Sequence, residues 1–70
     1  MVKFNIKLLR LKNDNMSQKE LISLTGIRPS TMSCLENNNA LTISVEQINK
    51  LCKALNCSVG DLIEYTPDDN

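Results

Sequence analysis

Residues 17–37 read SQKELISLTGIRPSTMSCLEN, and they spell two short helices with a tight turn between them. Ser17 followed three residues later by Glu20 is a capping-box pattern, and Met16 just ahead is placed to pack back as a hydrophobic staple. Leu21, Ile22 and Leu24 supply an apolar stripe. Gly26 comes after the last turn, where a left-handed residue ends a helix. Pro29 suits the first position of the next helix because it has no N–H to leave unsatisfied. The pattern predicts helices over about 17–25 and 29–37. Two helices joined by about three residues that include Gly cross at a large angle, the helix-turn-helix unit.

On a wheel, the second of these helices has Met32 and Leu35 as its large apolar residues, and Ile27 anchors the turn before it. Those must face the core. The other side then carries Pro29, Ser30, Ser33, Cys34 and Asn37, one continuous stripe of small, neutral residues. A buried face would want larger apolar groups, and a merely solvated face would usually carry Lys and Glu. A helix lying in the major groove of duplex DNA fits better. Short side chains let its backbone approach the base edges, hydroxyls donate or accept, and Asn suits the edge of adenine.

Working toward the N-terminus, FNIKLLRLKNDN places Phe4, Leu8 and Leu11 at helical spacing, with Ile6 and Leu9 filling in. A helix is expected over about 4–13, stopped by the turn-favouring Asn13, Asp14 and Asn15. Toward the C-terminus, Ser44 and Gln47 make a second capping box, opening a helix that runs to about Leu55 with Val45, Ile48, Leu51, Cys52 and Leu55 as its apolar positions. Ser58 caps a fifth helix, with Asp61 favourable in its first turn and Val59, Leu62 and Ile63 facing inward. Thr66 and Pro67 stop it. The expected architecture is all-α: a compact five-helix fold with the helix-turn-helix unit at about 17–37, helices four and five at about 44–64, and a frayed tail at 66–70.

Seventy residues make one small domain, expected to span 1–70. Its only aromatics are Phe4 and Tyr65, so the core must be aliphatic. Three cysteines without CxxC spacing, and no histidine, fit neither a zinc site nor a disulfide framework. The lack of histidine also removes the commonest general base. No enzyme, metal, cofactor or small-molecule substrate is expected. With no apolar run of membrane-spanning length and no signal-peptide core, the chain is expected in the cytoplasm. Net charge is zero, but residues 1–30 hold six basic against two acidic side chains, and residues 31–70 hold two against six. An anionic partner on one side of the molecule is the implication.

At this point the chain resembles a family. QKELISLTGIRPSTMSCLENN is similar to the Cro/CI-type (Xre, lambda-repressor-like) helix-turn-helix domain of bacterial and phage transcriptional regulators, through Gln18, Glu20-Leu21, Gly26-Ile27, Ser30 to Ser33 and Leu35-Glu36-Asn37. ISVEQINKLCKALNCSVGDLIEY resembles the same family's fourth and fifth helices, so the likeness covers about residues 3–65. It implies a double-stranded DNA-binding regulator, usually a homodimer on a two-fold operator, and in this case a small repressor. Carried over by position, it puts Pro29, Ser30, Thr31, Ser33 and Cys34 toward the bases. Gln18, which would also brace the recognition helix, goes to the phosphates with Asn37; apart from the likeness, Arg28 just before the stripe and Lys19 at the start of the preceding helix are basic groups expected at phosphates. Asn38 replaces the usual Gly after the recognition helix and is expected to keep its left-handed exit. Ile22 stands where the family prefers Ala, which implies a wider helix crossing. Leu11 stands where many members have an Arg that pairs with the acid matching Glu36, so the likeness does not extend to that salt bridge. Lys3, Lys7, Arg10 and Lys12 read mainly as solvated surface. The dimer interface is expected toward Leu62, Ile63, Tyr65 and residues 41–43. The rival reading is a protein–protein interaction module on the same fold: an antitoxin, an anti-repressor or an assembly subunit.

Overall fold

The protein is described from a computed structural model, over residues 1–67. In chain order the elements are β1 (Val2–Phe4), α1 (Ile6–Lys12), α2 (Gln18–Thr25), α3 (Pro29–Glu36), α4 (Val45–Leu55), α5 (Val59–Leu62) and β2 (Ile63–Tyr65). The expected helices are present, but the fold is not purely α. Its two ends pair as a small antiparallel sheet, with Val2 opposite Tyr65, Lys3 opposite Glu64 and Phe4 opposite Ile63. Asn5 N–H donates to Leu62 O at 2.9 Å and Thr66 N–H to Met1 O at 2.9 Å, extending the ladder beyond both strands. Thr66, expected in a frayed tail, is therefore tied to the first residue. The acidic end at 68–70 lies outside the described residues.

Capping decides most of the boundaries. Ser17 accepts from Glu20 N–H, while Ser44 with Gln47 and Ser58 with Asp61 complete reciprocal boxes. Gly26 ends α2 in the left-handed region at φ 72°, and Asn38 and Asn56 take the same conformation at 59° and 52° after α3 and α4. The turn at Asp14 and Asn15, both at φ 55°, closes α1, and Asn13 Nδ2 donates to the final α4 carbonyl, Leu55 O, at 2.8 Å. Gly26→Ala tests this scheme. A Cβ there would meet nothing within 4 Å, so only backbone strain opposes it. We expect a loss of about 1–2 kcal/mol, read as a lower urea midpoint at unchanged slope.

The core is aliphatic, as composition requires: Ile6, Met16, Leu21, Ile27, Met32, Leu35, Leu51, Leu55 and Leu62 are buried. Several apolar positions expected inside are outside. In α1 the buried face is Ile6 with half-buried Leu9, whereas Leu8 and Leu11 are exposed. The apolar residues at 6, 8, 9 and 11 spread over a wide arc of the helix, so periodicity alone does not choose a face. Val45 and Val59 are exposed because each is the first residue of its helix, beyond the edge of the core. Leu24 is also exposed, and its expected place is taken by Thr25.

Candidate nucleic-acid interface

The turn between α2 and α3 is built by few atoms. Thr25, buried, donates its hydroxyl to Leu21 O at 2.8 Å and accepts from Ile27 N–H at 3.3 Å, clamping the chain on either side of Gly26. Ile27 is driven into the core, and extended Arg28 hands over to Pro29 at the first position of α3. Thr25 carried no role in the sequence reading. The available signal was a threonine at the end of a helix, where its hydroxyl can satisfy the carbonyl four residues back.

Met32 and Leu35 are fully buried, and their burial fixes the rotation of α3. The opposite flank leaves Pro29, Ser30, Cys34 and Asn37 exposed and Thr31 and Ser33 half-buried. The hydroxyls of Ser30, Thr31 and Ser33 take no hydrogen-bond partner among the described residues. The only charged side chain of α3, Glu36, is turned the other way. Its carboxylate is held by Arg10, with Nη2 to Oε1 at 2.9 Å and Nε to Oε2 at 3.2 Å, and Arg10 Nη1 also donates to Met16 O at 2.8 Å. Both side chains are nearly buried, 11% and 6% exposed. The outer face of α3 is uncharged because its acid is folded under.

This pair corrects two expectations. Arg10 is an internal brace rather than solvated surface, and the salt bridge that Leu11 could not make is made one position earlier. Gln18, expected to brace α3, is half-buried and donates to no α3 atom among the described residues. The brace comes from α1. With Arg10 neutralised, the basic side chains that remain outside on this half are Lys3, Lys7, Lys12, Lys19 and Arg28. Arg28 shares a recess with Thr31, Ser44, Glu46, Gln47 and Lys50, beside the start of α3. Lys50, which ion-pairs with Glu46 at 3.0 Å, was not among the sequence candidates. It lies far along the chain, and only the packing of α4 on α2 brings it to this recess.

The three cysteines are free thiols. Cys34 is exposed on the outer flank of α3, and Cys52 and Cys57 adjoin each other behind the C-terminus of α4. Burial, with the neighbouring Cys52 thiol adding to it, pushes the Cys57 thiol up to about 11. Cys57 is thus a packing residue at neutral pH.

Two helices at a glycine turn, the second anchored by Met32 and Leu35 and turning free hydroxyls outward, define a helix-turn-helix protein. The chain belongs to the Cro/C1-type HTH DNA-binding domain family, whose pattern it matches over residues 8–68. It is similar to YozG, an uncharacterized HTH-type transcriptional regulator of Bacillus subtilis (strain 168), with 36% identity over 66 residues that span 94% of this chain and 77% of the relative. Among the described residues, no helix is long and apolar enough to cross a membrane.

Proposed function

We propose that this protein, a DNA-binding transcriptional regulator by its family, reads operator half-sites with α3 in the major groove and acts as a small repressor in the cytoplasm. The supporting observation is the outer face of α3: uncharged, unpartnered hydroxyls backed by two buried anchors, with the helix's single acid drawn inward to Arg10. Pro29, Ser30, Thr31, Ser33 and Cys34 are assigned to the bases. Lys19, Arg28, Gln18 and Asn37 are assigned to the backbone, the usual division between contacts that specify and contacts that position. One copy offers too few phosphate contacts for useful affinity, so the active species is taken to be a homodimer on a two-fold operator.

Salt is the direct test. Lys19 and Arg28 from each of two copies neutralise about four phosphates, so affinity for a selected duplex should fall about a hundredfold between about 50 and 200 mM salt. Duplex binding measured by fluorescence anisotropy, after enrichment of genomic fragments on the purified protein, gives both the site and the slope. No retention of duplex even at low salt would overturn the reading in favour of a protein-interaction module.

A further inference from the structure

We infer that the groove between the end of α2 and the second half of α4 docks an acidic amphipathic helix of a partner protein. Its carboxylates meet Lys50 and Lys53, and one of its large apolar side chains covers Leu24. The groove is lined by Leu24, Thr25, Lys50, Lys53 and Ala54. Leu24 is 59% exposed although the adjoining Thr25 is buried, so its side chain stands in water at the groove wall. The Thr25 hydroxyl is already committed to Leu21 O and Ile27 N–H, which leaves the two lysines as the polar groups a ligand meets.

Charge selects the occupant. Residues 31–70 carry six acidic side chains and only two basic ones, Lys50 and Lys53, and both basic ones line this single groove. No acid among the described residues lines it. Lys50 pairs with Glu46 at 3.0 Å, whereas Lys53 takes no carboxylate partner among the described residues. A two-fold contact with a second copy would set these lysines against their own images. A duplex backbone meets cations but gains nothing from an exposed leucine, whereas an acidic helix with an apolar stripe uses both. The comparable surface at Leu8 and Leu11 has Lys3 and Lys7, but Glu36 lines it as well.

Spacing defines the ligand. Lys50 and Lys53 stand three apart on α4, and Cβ atoms at that spacing lie about 5–6 Å apart on one helix face. Carboxylates three or four apart on a partner helix match them, with a Leu or Phe between to sit on Leu24 and half-buried Ala54. None of the residues assigned to bases or phosphates lines the groove. Partner and duplex therefore use different surfaces, and the inference holds or fails independently of the DNA reading.

The probe is a synthetic helical peptide of about four turns with Glu three and four apart around leucines, and its control is the same peptide with Gln for every Glu. Titrated into isotope-labelled protein at physiological salt, the Glu peptide should shift the amide resonances of Leu24, Thr25, Lys53 and Ala54 to saturation. Leu24→Ala and Lys53→Glu spare the core because both side chains are exposed. Each should weaken binding at least about fivefold, with a thermal midpoint near that of the wild type. Lys7→Glu, at the Leu8 and Leu11 surface, should bind as the wild type does. No saturable shift, equal binding of the Gln peptide, or a K7E as impaired as K53E would each overturn the inference. A duplex that shifts the same amides and is weakened by both L24A and K53E would overturn it in favour of nucleic acid. Peptide binding by a protein that retains no duplex upholds the groove while the DNA reading falls. Duplex retention without peptide binding does the reverse.

Discussion

Replacing Glu36 with alanine is expected to remove about 3–5 kcal/mol of folding stability, because it strands the Arg10 guanidinium in a nearly dry site. A domain this small has total stability near the low end of the usual range of about 5–15 kcal/mol, so the variant should be largely unfolded under mild denaturant. Arg10→Met should be about as damaging, since it leaves the Glu36 carboxylate without its two charge-assisted bonds and Met16 O without its donor. The double variant Arg10→Met/Glu36→Leu should recover most of the loss, because removing both charges in favour of apolar groups is often nearly neutral. Urea midpoints of wild type, Arg10→Met, Glu36→Leu and the double variant form a double-mutant cycle. Single variants within about 1 kcal/mol of wild type would mean that water reaches the pair and that it behaves as a surface bridge.

The brace also shows where local reading ends. Every signal that placed α2, the Gly26 turn and α3 acts within about four residues: a cap, a staple, a left-handed glycine, a proline at the first position. Those elements were legible. The strands were not, because Val2–Phe4 and Ile63–Tyr65 lie at opposite ends of the chain and each is too short to show a period of its own. Residues 6–11 admitted two apolar faces, and the choice between them is made by Glu36, which draws Arg10 inward and turns Leu8 and Leu11 out. Once Arg10 is seen to be internal, the salt bridge that the likeness withheld from Leu11 is found one residue earlier. The candidate site divides the same way. The stripe on α3 follows from one helix's periodicity, and Thr25 acts through bonds to Leu21 and Ile27 that are just as local, whereas Lys50 joins the site only through the packing of α4 on α2, which no short window contains.

That stripe makes a sharp contrast between adjacent residues. Met32→Ala removes a fully buried side chain and should cost about 2–5 kcal/mol, the range for large-to-small core changes that leave a cavity. Ser33→Ala, one residue on, removes a half-buried hydroxyl with no partner among the described residues, so stability should move by about 0.5 kcal/mol or less. Its effect belongs on DNA. A contact to a base edge accounts for about 1–3 kcal/mol of discrimination, so S33A should bind selected and scrambled duplexes with more nearly equal affinity at an unchanged salt slope. The pair separates the two faces of α3 by different observables: M32A lowers the denaturation midpoint, whereas S33A alters the sequence preference of a folded protein. If S33A unfolds as M32A does, α3 is rotated away from the orientation that points Met32 at the core and Ser33 at the groove. If S33A keeps both stability and base preference, readout lies with Ser30 and Thr31 nearer the start of the helix, and the same measurement on those two positions locates it.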